Sequence, residues 1–231
     1  MPREVFKSAS VLAAFALAGC GGDAGPSASP SAARVEEAAE TETTQRGPTV
    51  VMLGDSLTAG VGLAAEEALP AALERRLAEI GVSAVFVNAG VSGDTTGGGS
   101  DRYDFSVRGA DADLVLVALG ANDFLRGLAP EIAKENLAAI IEAAQADGAP
   151  VALIGLKPPT GGARAAAFAA IYPALAEAYG VPLFDAMLRS VRNKPALIQS
   201  DGLHPTAAGV EMIAEDLAPF VVRQVRALDA D

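Results

Sequence analysis

Asp113-Leu114-Val115-Leu116-Val117-Ala118-Leu119 (residues 113–119, DLVLVAL) is the stretch that decides the fold. After its first residue there is no polar alternation, so it reads as a strand covered on both faces. It stops at Gly120 and the polar pair Asn122-Asp123. Working outward, the same pattern recurs. Thr49 to Leu53 is a short apolar run that halts at Gly54, Ala84 to Val87 is another, and Pro150 to Leu156 and Val181 to Phe184 follow. Between these runs the apolar period changes to that of a helix. In Pro70 to Ile80 (PAALERRLAEI), Leu73, Leu77 and Ile80 share one face and Gly81 supplies a stop. Pro130 to Ala146 and Ala163 to Tyr179 read as helices, the latter with a break expected at Tyr172-Pro173. Thr206 to Ala227 is a closing helix with a kink expected near Pro219. Five strands separated by helices predict an α/β fold, a three-layer α/β/α sandwich around a five-stranded parallel sheet.

Composition limits the chemistry. The chain has 231 residues, 51% of them hydrophobic, and 17 basic against 29 acidic residues give a net charge of −12. That balance offers no footprint for nucleic acid, whose phosphates demand clustered Lys and Arg. One Cys and one His cannot form an internal disulfide or a Cys/His metal site, so no metal is expected.

The first residues read as an address. Arg3 and Lys7 precede Ser8 to Ala18, a small-apolar run too short to span a bilayer. It ends in Leu17-Ala18-Gly19-Cys20, which resembles a bacterial lipobox. That resemblance implies a signal peptide over residues 1–20, lipid attachment at Cys20, and an exported protein held at an envelope membrane. Ordinary cleavage after Ala18, leaving Cys20 a spare thiol and the protein soluble outside the cytoplasm, is the alternative. Residues 21–47, rich in Gly, Ala, Ser, Pro, Thr and Glu, bury too little apolar surface to order and read as a tether. Residues 48–231 are the right size for one domain with a real core, expected to act as a monomer.

Ligands in open α/β sheets bind beyond the carboxyl ends of the strands. Gly54-Asp55-Ser56-Leu57 follows the first strand, Asn88 to Asp94 the second and Gly120 to Asp123 the third, while Asp201-Gly202-Leu203-His204-Pro205 precedes the final helix. In this order the four segments resemble the sequence blocks of the SGNH hydrolases, also called GDSL esterases and lipases. The runs VNAGVSGDTT, ALGAND and DGLHP are most similar to the small secreted bacterial enzymes acting as lysophospholipase, acyl-CoA thioesterase and arylesterase. Gly97 to Arg108 departs from that pattern.

The resemblance implies a flavodoxin-like sandwich and hydrolysis of small acyl esters, with thioesters as further substrates, through an acyl-enzyme and with no metal or organic cofactor. It makes Ser56 the nucleophile, His204 the base and Asp201 the acid that orients it. Ser56, Gly93 and Asn122 become the oxyanion-hole donors. A serine hydroxyl attacks well only beside a base, and convergent donors stabilise the oxyanion. Plainer roles stand beside these. Ser56 suits a helix N-cap, Asn122 a turn with positive φ, Gly93 a position closed to side chains, and His204 a surface or cap residue. Asp185 is a rival orienting acid, and Asp55, Asp94 and Asp123 read as supporting or turn residues. Gly97-Gly98-Gly99 lacks the Gly-Lys-Ser/Thr of a phosphate cradle. A carbohydrate O-deacetylase of the same fold and a non-catalytic envelope-binding lipoprotein are the competing functions.

Overall fold

The computed structural model describes residues 47–158 and 161–228. The signal peptide, Cys20 and nearly all of the tether lie outside the described residues.

The strands are β1 (Thr49–Gly54), β2 (Val85–Gly90), β3 (Leu114–Ala118), β4 (Val151–Ile154) and β5 (Leu183–Phe184). They pair in parallel in the order β2-β1-β3-β4-β5. Every residue of β3 is buried, as its unbroken apolar run requires. The helices are α1 (Ser56–Ala59), α2 (Leu69–Glu79), α3 (Thr96–Asp101), α4 (Tyr103–Ser106), α5 (Ala121–Leu125), α6 (Pro130–Ala146), α7 (Ala163–Tyr179) and α8 (Ala207–Leu228).

Connection handedness sorts these helices. The crossover from β1 to β2 runs one way along the sheet, and those through β3, β4 and β5 run the other. Right-handed crossovers therefore place α2 on one face and α3, α6 and α7 on the opposite one. The packing agrees: α2 lies against α8, whereas α6 packs on both α3 and α7. Leu73 and Leu77 of α2 and Ile213, Leu217 and Val221 of α8 are buried at helical spacing, as are Leu137, Ile140 and Ile141 of α6.

Several boundaries differ from the expected ones. Strand β2 continues three residues past Val87, through Asn88, Ala89 and Gly90, because each pairs with β1 in register (Met52 with Asn88, Leu53 with Ala89, Gly54 with Gly90). Strands β4 and β5 are shorter than their apolar runs. Helix α7 passes through Pro173 without a break, and α8 continues across Pro219. The glycine run forms helix α3, with the Thr95 hydroxyl accepting from the Gly98 N–H at 3.2 Å. A Cβ at Gly99 would lie 2.2 Å from Leu119 Cδ1, and one at Gly98 only 1.8 Å from Asp94 Oδ1. These glycines let α3 settle onto the end of β3, against their poor helix propensity.

Candidate active site

Strand β1 ends at Gly54, and the chain turns at once into α1. Asp55 caps that helix: its Oδ1 accepts the Leu57 N–H at 3.0 Å. Ser56 therefore occupies the first helical position, and the capping role considered for it belongs to its neighbour. Ser56 donates its hydroxyl hydrogen to His204 Nε2 at 2.8 Å, across 148 residues of chain. His204 Nδ1–H in turn donates to Asp201 Oδ2 at 2.7 Å. Holding that proton on Nδ1 leaves Nε2 as the acceptor facing the hydroxyl.

The loop carrying both partners is tightly closed. Asp201 Oδ1 accepts the backbone N–H groups of Leu203 at 2.8 Å and His204 at 3.0 Å. Ile198 bridges Pro205, and the Gln199 N–H donates to the His204 carbonyl at 2.7 Å. The bond to the His204 ring and these two backbone donors hold the Asp201 carboxyl down to about 2, so it is ionised throughout the working pH range. Asp185, the rival acid, pairs with Lys157.

The other ends of the sheet bring up Gly93 and Asn122. After β2 the chain makes a turn closed by the Asp94 N–H on the Val91 carbonyl at 3.1 Å, with Gly93 at φ +80°. Its Cβ would also meet Arg126 Nη2 at 3.2 Å, so the steric reason for glycine is real. Among the described residues, neither the Gly93 N–H nor the Ser56 N–H donates to a protein acceptor. Asn122 sits in α5 rather than in a positive-φ turn, and its Nδ2 donates to the Asp94 carbonyl at 2.8 Å. Ser56 and Asn122 line one cleft of about 290 Å³, walled by apolar side chains that include Leu125, Leu156, Phe168 and Leu188. No group of three His, Cys, Asp or Glu among the described residues is placed to hold a metal ion.

Two arginines that no motif singled out, with Asp94 and Asp123 in the supporting role expected of them, build this frame. Arg102 donates to the carbonyls of Ala89 and Gly54, both at 2.9 Å, and pairs with Asp94 at 2.7 Å, cross-linking the ends of β1 and β2. Asp123, fully buried, accepts the Thr96 hydroxyl at 2.6 Å and its N–H at 2.9 Å, anchoring α3 to α5. Arg164 donates to the carbonyls of Phe124 and Leu128 at 2.9 and 3.1 Å and lies over the Phe124 and Phe168 rings. Arginines that donate to main-chain carbonyls form no sequence pattern, which is why they were not visible beforehand.

Asp55 carries a cost. It is 1% exposed, and burial lifts its carboxyl from 3.8 to about 6, against the opposing pull of the Leu57 N–H and His204. A raised folded-state value means the folded chain binds more protons between those pH values, so stability falls as pH rises through that window. Asp55→Asn keeps an oxygen for the Leu57 N–H without the buried charge, while its NH₂ replaces the oxygen that Asn122 Nδ2 reaches at 3.4 Å. The stability difference between Asp55→Asn and wild type should therefore move in the variant's favour as pH rises from 3.8 to about 6, by on the order of 3 kcal/mol, and stay constant on either side of that window. Urea titrations of both proteins across that range measure it.

Similarity to known proteins agrees with this geometry. A family model for GDSL-like lipases and acylhydrolases matches residues 52–212. An arylesterase of Vibrio mimicus is 38% identical over 183 residues, covering 78% of this chain and 92% of that one. An Escherichia coli protein named thioesterase, protease and lysophospholipase is 36% identical over 172 residues, 74% of this chain and 81% of that one. The structure of the psychrotrophic esterase EstA from Pseudoalteromonas sp., inhibited by monoethylphosphonate, superposes with a TM-score of 0.73 at 30% identity, over 78% of this chain and 99% of that one. The matched span contains all four polar segments, the end of β1 and the other four strands whole, so the chain belongs to the GDSL-like lipase/acylhydrolase family.

Proposed function

We propose that the protein is a serine esterase that hydrolyses small acyl esters through an acyl-enzyme on Ser56. The observation that carries this reading is the unbroken hydrogen-bonded chain Ser56–His204–Asp201 at an apolar cleft. Ser56 Oγ attacks the ester carbonyl carbon while His204 Nε2 takes the hydroxyl proton. Asp201 keeps the ring oriented and stabilises the imidazolium that forms. The carbonyl oxygen becomes an oxyanion facing the N–H groups of Ser56 and Gly93 and the Asn122 amide. Collapse expels the leaving alcohol, or a thiol from a thioester, which receives the proton from His204. Water, deprotonated by the same imidazole, then releases the acid and restores Ser56. No metal or organic cofactor enters any step.

The aliphatic and phenyl walls of the cleft suit an acyl chain better than the acetyl group of a sugar, which favours ester over carbohydrate O-deacetylase chemistry. A panel of nitrophenyl esters of increasing acyl length, with a lysophospholipid, an acyl-CoA and an acetylated sugar alongside, tests this. Turnover of the acyl series with inert acetylated sugar is expected. Turnover confined to the sugar overturns the choice.

The same reading extends to the whole chain: a leader over residues 1–20, a tether over 21–47 and one hydrolase domain over 48–231 acting as a monomer. The lipobox-like Leu17-Ala18-Gly19-Cys20 supports attachment through lipid at Cys20, and among the described residues no helix is long and apolar enough to cross a membrane. A fatty acid analogue should label the wild type and miss Cys20→Ala. Equal labelling of both, or none of either, would leave plain export as the alternative.

A further inference from the structure

Ser56 and His204 reach each other from elements far apart in sequence, and their 2.8 Å contact needs something local to hold it. Helix α1 is only four residues long and ends at Gly60, so the segment behind Ser56 is a loop through Val61 and Gly62. The His204 loop closes on itself through Asp201 and the Ile198–Pro205 bridge, and those bonds do not reach Ser56. One side chain does cross. Gln199 Nε2 donates to the Val61 carbonyl at 2.7 Å and to the Pro205 carbonyl at 2.8 Å. Both amide hydrogens are thus divided between the segment behind the nucleophile and the residue after the base. The fit is close: a Cβ at Gly62, where φ is +78°, would lie 2.4 Å from Gln199 Oε1.

We propose that Gln199 is a positioning residue that sets the Ser56–His204 separation by bracing the Val61–Gly62 segment against the His204 loop. This rests on the serine-esterase reading above and adds to it a residue that touches neither substrate nor reacting atoms. The backbone of Gln199 contributes separately, through its N–H to the His204 carbonyl and its carbonyl from the Gly202 N–H at 3.0 Å. Side-chain replacement leaves those bonds in place, so it isolates the brace. A shift of about 1 Å between reacting groups costs about 10²-fold in rate, which bounds the effect.

The test uses Gln199→Met, which keeps length but loses both donors, and Gln199→Glu, which keeps shape but sets a carboxylate against two carbonyls. With nitrophenyl butyrate, each variant should lose about 10- to 100-fold in kcat while KM stays within about threefold. Phosphonate inactivation should slow in parallel. In a His204→Ala background, where no imidazole is left to position, Gln199→Met should cost nothing further, the non-additivity of residues acting as a unit. Unchanged kcat in both single variants overturns the proposal. So does an equal loss in the His204→Ala background, which would show a general structural role. If neither variant folds, Gln199 is a folding residue and the proposal also falls. The parent reading fails separately, through retained activity in Ser56→Ala.

Discussion

Ser56→Ala should fold like the wild type and lose about 10⁵- to 10⁶-fold in kcat toward nitrophenyl esters, the scale seen when a serine nucleophile is removed. Two features separate the catalytic loss from any structural one. Asp55 caps α1 through the Leu57 N–H, so removing the Ser56 hydroxyl takes no cap from the helix. The lost hydroxyl contacts His204 on the cleft side rather than the core. The thermal midpoint should stay within a few degrees of wild type. Turnover within tenfold of wild type, in a preparation free of contaminating esterase, would remove Ser56 from the mechanism.

The second large effect concerns the base and its partner. His204 Nε2 lies 2.8 Å from the Ser56 hydroxyl, within reach of the proton a general base must take. His204→Ala should remove nearly all of the rate. Asp201→Asn should cost about 10⁴-fold by imposing the wrong tautomer. In the wild type, one Asp201 oxygen is committed to two backbone N–H groups and the other faces His204 Nδ1. The asparagine would keep its oxygen on the backbone donors and turn its NH₂ toward Nδ1. The ring proton would then move to Nε2 and face the hydroxyl it should deprotonate. Asp185→Asn, which affects only a carboxylate paired with Lys157, should change the rate little. A large loss there with a mild one in Asp201→Asn would reverse the two assignments.

The sheet was legible because each strand is an apolar run stopped by Gly or by a polar cluster, and β3 states its two-sided burial outright. Its edges were less so. Asn88 and Gly90 lack strand propensity and are held in β2 by pairing with β1. Helix α3 was illegible for a related reason: its glycines are chosen for the space beside Leu119 and Asp94, which only the folded chain defines. Pro173 looked like a break, yet α7 carries it, since tertiary packing outweighs the local penalty. At the site, a single His left one candidate for the base, and the three-residue spacing favoured Asp201 over Asp185 as its partner, the pairing found in the hydrogen bonds. Gln199 and Arg102 could not be found that way. Their partners are main-chain carbonyls of distant segments, and no residue pattern announces a carbonyl's position.

The central claim is that Ser56 is the group that becomes acylated, and covalent capture tests it most directly. The protein is treated with a nitrophenyl alkylphosphonate until esterase activity is gone, then digested and mapped by mass spectrometry. One phosphonyl group per chain is expected, on the peptide containing Gly54-Asp55-Ser56-Leu57 and on Ser56 itself. Labelling should keep pace with the loss of activity and be absent from Ser56→Ala. Stoichiometric label on another residue, or equal labelling of Ser56→Ala, would contradict the account.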